Sequence, residues 1–469
     1  MRWFRRLNPL RWLRTTGYRA CYTKQCAKLS RLLAISNADQ TALSPRTVPM
    51  SPSGERRAID RVLGLQTTRH IGTYAFRFAL AILLYTSVRC DREGTSKLES
   101  PILIPSVSAE LSGPPEPVLD TRDGCDDVDV PDAFPHAFRD AQNSVHLIAS
   151  HWVTRALIGP SLDQLKRDCH VVYRSSHDRD PAHFRDENWL TSFYTEDGLR
   201  VGALVHSEYH GFEHDGMCGD PQSPRRADDC AWTEITFAES RDGGNVFEEA
   251  TPPTNLVASL PYPYDKENKS GPQGYNSPTN ILKIGNFYYA MINVWREYKA
   301  QRYGPCLIRT DNLFNPSSWR AWDGKDFGIR FVDPYIKQKD NPADHVCPPV
   351  ILGTLDSLAI DEQSGIFLAD VYVKDDRYGQ GSGLYITASR DLVRWSVPKL
   401  VASTNSMLRH EPPGNWSYLY FTIIDPEAKD RNFTAVSNTP YVYYVRFDDN
   451  HPPYARVLFR QRIKISVRQ

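Results

Sequence analysis

A short turn motif recurs in this chain and constrains its fold more than any other feature. SRDGGNVF (240–247), IRTDNLFNPSSW (308–319) and TASRDLVRW (387–395) each place a Ser or Thr one or two residues before an Asp, then a turn, then an aromatic. An Asp or Ser at a turn hydrogen-bonds the local backbone, Gly supplies positive φ, and the aromatic covers the packing between strands. Asp242, Asp311 and Asp391 are therefore expected to shape outer hairpins rather than to carry chemistry.

Upstream of each turn lies a second hairpin of one plan, strand, Asp/Gly turn, strand: 189–209, 277–295 and 354–373. The stretches 131–151 and 416–447 fit the same template, the last with a longer turn. No long amphipathic helix interrupts the alternation of short β-type runs and turn clusters after Asp120. Five units of roughly four strands each describe an all-β, five-bladed β-propeller over 120–469. A β-sandwich with appendages is the alternative.

The neutral total charge conceals an asymmetry. Residues 1–90 hold 16 Lys+Arg against 3 Asp+Glu, leaving 40 against 53 for the remainder. Residues 1–70, with no acid before Asp39, show neither apolar period nor cap and are expected to be a largely disordered N-terminal extension. Residues 71–90 contain FALAILLYTSV (78–88) behind Arg69 and Arg77, the length of a signal-peptide apolar region rather than of a comfortable membrane span. Either translation starts at Met50 and the segment is a signal, or it is kept as an anchor with its basic side in the cytoplasm; a buried helix of a cytosolic domain is the alternative. Residues 91–119 are Pro/Ser-rich and read as a tether. The expected location is secreted or membrane-anchored, with membrane contact only through this segment.

Six cysteines follow: Cys125, Cys169, Cys218, Cys230, Cys306 and Cys347. The even number fits disulfides after export, and the short polar loop between Cys218 and Cys230 suits one bridge. No Cys-x-x-Cys spacing supports zinc. Asn268, Asn415 and Asn432 stand in Asn-x-Ser/Thr sequons.

A propeller presents the N-terminal ends of its innermost strands to the central funnel. Those positions offer Asp132 with His136, Trp189, Asn280, Asp356 and Trp416. Carboxylates from different blades, with aromatics that stack on sugar rings, suit glycoside hydrolysis: one acid protonates the leaving oxygen, one carboxylate attacks or activates water. In HSEYHGFEH (206–214), strand alternation puts His206, Glu208 and His210 on one face. Glu208 is a candidate general acid tuned by its histidines. A single metal ion on these three is disfavoured, because successive ligands along a strand are about 7 Å apart; no metal or other cofactor is expected. Arg139, Arg155, Arg174 and Arg309 are candidates for holding an anionic sugar by bidentate pairing. The acidic balance of residues 91–469 disfavours nucleic acid.

SRDGGNVF resembles the Asp-box of sialidase-type propellers, and the turns at 309–322 and 389–395 resemble those of five-bladed glycosidase propellers of the arabinanase, xylosidase and fructosidase group, over about residues 120–465. The resemblance implies hydrolysis of glycosidic bonds by acids at the mouth of the funnel, with carbohydrate as the partner. It puts Asp132 where those families carry an Asp base or nucleophile, and Asp356 near their general-acid Glu. The chain departs from them in having Asp at 356 and YNSPTN (275–280) where a third-blade carboxylate is expected. A non-catalytic carbohydrate-binding or adhesion propeller is therefore the competing reading.

Overall fold

The computed structural model describes residues 104–149, 151–219, 229–337, 339–404, 416–448 and 455–468. The basic extension, the apolar segment and residues 91–103 of the expected tether lie outside them, as does Asn415. No helix among the described residues is long and apolar enough to cross a membrane.

The described strands form five sheets of four to six strands and one two-stranded ribbon. In chain order the innermost strands are His136–Arg139, Glu187–Thr195, Leu282–Ile284, Thr354–Asp361 and Trp416–Ile424, each followed by antiparallel neighbours. Apolar side chains from adjacent sheets meet in five clusters. Phe138 packs with Phe193 and Phe247 between blades one and two, and Trp232 with Tyr275 and Trp319 between two and three. Leu282 with Leu355 joins three to four, Ile386 with Phe421 joins four to five, and Leu147 with Tyr443 joins five back to one. The ring of interfaces closes: the fold is a five-bladed β-propeller, the architecture the turn repeat predicts.

The closing device lies inside the stretch expected to be a tether. Ser106–Asp120 pairs antiparallel with the C-terminal strand Arg456–Arg468, from Ser106 opposite Arg468 to Asp120 opposite Val457. The fifth blade thus takes its outermost strand from the start of the propeller and the other three from its end. Pro114, Pro115 and Pro117 gave this segment its tether-like composition, but an edge strand tolerates residues that cannot donate to a ladder. Val107 and Leu119 are buried in it. The propeller begins near residue 106 rather than 120.

The repeated turns work as local geometry dictates. Asp242 Oδ1 accepts from Ser240 Oγ at 2.7 Å and from the backbone N–H groups of Asn245 and Val246, while Gly243 and Gly244 take φ of +79° and +95°. Asp391 Oδ1 likewise accepts from Val393 and Arg394 N–H. In the middle repeat Thr310 Oγ1 and Ser318 Oγ, 2.6 Å apart, organise the turn instead of Asp311. Cys218–Cys230, Cys125–Cys169 and Cys306–Cys347 are disulfide-bonded. The amides of Asn268 and Asn432 are engaged with Gly271 O and Thr195 O.

Candidate functional site

Asp132 reaches the funnel ahead of the first inner strand and lines a cavity of about 290 Å³. Trp189, on the second inner strand, and His206, Glu208 and His210, on its neighbour, line the same cavity. The structure therefore brings together five of the residues that the sequence singled out.

Asp132 is heavily engaged. Arg456 forms an ion pair with Asp132 Oδ1, Tyr420 donates its hydroxyl to the same oxygen at 3.1 Å, and His151 Nε2 lies 3.7 Å from Oδ2. Burial pushes the His151 imidazole down to about 4, so near neutral pH it is uncharged.

Glu208 sits between two histidines. His210 Nε2 donates to Oε2 at 2.8 Å, and His206 Nε2 lies 2.9 Å from Oε1, close but not aligned as a hydrogen bond. The Ser277 N–H donates to His206 Nδ1 at 3.2 Å, which leaves the His206 proton on Nε2, facing the carboxylate. Burial alone would raise the Glu208 pKa; the two histidines overcome it and hold the carboxyl below the ordinary range. A carboxylate bracketed by two histidines is arranged to fix their rings as well as to exchange a proton. Burial opposes charge on His210 too, but contacts with Glu208 and Glu213 lift its pKa to about 10. Burial, with Glu213, Asp186 and Glu208 as further negative neighbours, pushes Glu187 up to about 8.

Asp356 lines a second cavity of about 500 Å³ that shares Phe134, Trp295 and Tyr420 with the first. A bulge in the fourth inner strand, between Leu355 and Leu358, presents it there. Asn280 braces this bulge, donating to Leu358 O at 2.8 Å and accepting from Leu358 N–H at 2.7 Å; Asn293 does the same for Leu355. Across the hairpin Asp370 Oδ1 accepts from Ser357 N–H and Oγ at 2.7 and 2.6 Å. Burial and the Asp370 carboxylate beside it hold the Asp356 pKa well above the ordinary range. Arg296, Lys374 and Arg377 also line this second cavity.

The remaining candidates serve the scaffold. His136 is buried outside both linings, with Nδ1 2.5 Å from Thr191 O. Arg139 donates to Ala428 O and Asp430 O and stacks on Phe433, tying blade one to blade five. Arg309 lies between Phe287 and Phe327 in blade three, and Arg155 pairs with Asp126. Trp416 stacks with Arg446 outside both cavities, and Asn280 binds backbone. Sequence reasoning missed Tyr420, Arg456, His151, Trp295 and Glu187. Of these only Glu187 carried a local signal, an acid two residues before the singled-out Trp189.

No family model and no curated protein matches this chain. Among solved structures it is similar to a protein of unknown function from Dyadobacter fermentans, at 11% identity and a TM-score of 0.39 over 77% of this chain and 100% of that one. It is similar to the catalytic domain of the Coprinopsis cinerea GH62 α-L-arabinofuranosidase, at 11% identity and a TM-score of 0.37 over 76% and 96%. It is also similar to a GH43_1 enzyme from Xanthomonas citri, at 11% identity and a TM-score of 0.39 over 74% and 89%. No chemistry follows from likeness at this level.

Proposed function

We propose that this protein is an exported, carbohydrate-active propeller that hydrolyses glycosidic bonds in its funnel. The observation that carries the reading is a pair of carboxyls with different partners on adjoining cavities. Asp132 is paired with Arg456, whereas Asp356 is buried beside a second carboxyl and favours its proton. A buried carboxyl that favours its proton suits the acid, and an ion-paired one suits the base or nucleophile. Asp132 is the base or nucleophile, Asp356 the acid, and Tyr420, on both linings, the residue between them. Trp189, Trp295 and Phe134 supply faces for sugar rings. Three disulfides and the basic-apolar N-terminal stretch support export. A panel of glycans incubated with the full chain tests the reading. Turnover lost in both Asp132→Asn and Asp356→Asn supports it, and turnover retained in either variant removes that residue from the mechanism.

One observation favours a second reading, a non-catalytic carbohydrate-binding module. Asp132 already has an arginine, a tyrosine and a histidine around it, and Ser277 is the residue of the third-blade segment YNSPTN that lines the first cavity. Glycan binding without hydrolysis across the panel decides for that reading.

A further inference from the structure

The geometry points to a divalent transition-metal site at Glu187, His210 and Glu213, on the wall of the Asp132 cavity. One ligand atom from each of the three lies within 4.8 Å of the others. His210 Nδ1 is 3.8 Å from Glu187 Oε2 and 3.7 Å from Glu213 Oε1. A tetrahedral ion with bonds near 2.1 Å holds its ligand atoms about 3.4 Å apart, so the two contacts of His210 need a contraction of a few tenths of an ångström and the separation of the two carboxyl oxygens, inside 4.8 Å, one of at most about 1.4 Å.

The Glu187 side chain is 2% exposed, and neither its Oε2 nor His210 Nδ1 has a hydrogen-bond partner. A buried carboxyl oxygen without a hydrogen bond is costly, and coordination, which releases the protons that Glu187 and His210 Nδ1 would otherwise hold, is one of the few arrangements that satisfies it. The ion pairs of Glu187, Glu208 and Glu213 all run to histidines, with no lysine or arginine on them among the described residues.

The surroundings fit a ligating imidazole. His210 turns Nδ1 to the site and gives its Nε2–H to Glu208 at 2.8 Å, the carboxylate–histidine arrangement that fixes ring orientation and raises ligand basicity. Phe212 stacks on the same ring, with centroids 4.9 Å apart and planes 25° apart. Glu208 is then a positioning residue. One nitrogen and two oxygens suit zinc and its neighbours, while calcium and magnesium take oxygen ligands almost exclusively. Three protein ligands leave a position open for water or a hydroxyl, and Glu187 and His210 line the cavity from which it would come.

The test uses the full disulfide-bonded chain, stripped with chelator and titrated with zinc alone, read by calorimetry and metal content. One zinc per chain is expected. Glu213→Gln, at the half-exposed end of the 3-10 turn Gly211–Glu213, leaves folding intact and weakens binding at least about tenfold, and Glu208→Gln weakens it about 10- to 100-fold. Cobalt in place of zinc gives visible absorption that disappears in His210→Ala. Absence of zinc binding overturns the proposal, as does binding unchanged by both Glu187→Gln and Glu213→Gln. Calcium competing at equal concentration overturns the assigned ion class. None of these readouts depends on glycan turnover.

Discussion

Tyr420 donates its hydroxyl to Asp132 at 3.1 Å, joining the last blade to the first across 288 residues of sequence. It does so from a backbone φ of +59°, at a register shift between Leu419 and Thr422. A non-glycine residue held in the left-handed region costs about 1–3 kcal/mol and persists only where its surroundings fix it. Tyr420→Phe keeps the ring against Phe134 and removes only the hydroxyl. Stability is expected to fall by about 1 kcal/mol in urea unfolding, and any glycan turnover by roughly 10- to 100-fold, because the carboxylate loses its orientation. Unchanged turnover would show that Arg456 alone orients Asp132.

Asp132→Asn is expected to cut turnover by at least about two orders of magnitude, the scale of a lost base or nucleophile. It leaves Arg456 without its charged partner, so unfolding free energy falls by about 1.5–3 kcal/mol. A variant as stable as the parent would mean that the ion pair contributes nothing to the closed ring.

Removing residues 1–119 is expected to damage the fold, whereas removing residues 1–103 is not. The longer truncation deletes nearly the whole partner of Arg456–Arg468 and uncovers an apolar edge, with the burial of Val107 and Leu119 alone contributing about 3–6 kcal/mol. Thermal melts of the two fragments check this. Equal melting temperatures would sink the role of the closing strand.

The pairing of Asp356 with Asp370 gives stability a pH dependence whose sign follows from its direction. Burial raises both carboxyls in the fold, Asp370 to about 7, so the folded state holds protons that the unfolded chain releases. The Asp370 contribution is fully present below about pH 4 and is lost as pH rises through about 7. Relative to the parent, Asp370→Asn should therefore gain about 1 kcal/mol per pH unit over that interval. His136 and His151, pushed down to about 4 by burial, titrate in both proteins and cancel in the comparison. A difference that does not vary with pH would place the proton elsewhere.

What the sequence by itself determined is what local chemistry repeats. Strand alternation, Asp and Gly turns and spaced aromatics act over a few residues, so the five blades, the Cys218–Cys230 bridge and the shared face of His206, Glu208 and His210 were legible. Asp132 and Trp189 were legible because they stand just ahead of, and near the start of, inner strands. What only the tertiary structure decided is which groups meet once the ring closes. Arg456 and Tyr420 reach Asp132 from the far end of the chain, and nothing near them in sequence announces it. Asp370 became the neighbour of Asp356 through a hairpin bulge, and two histidines came to bracket the Glu208 carboxylate. Arg139, Arg309 and Asn280 are polar residues whose roles depend on whether a backbone carbonyl, a ring or a ligand lies within reach. Spacing along one strand cannot reveal that, because it is set by strands contributed from other blades.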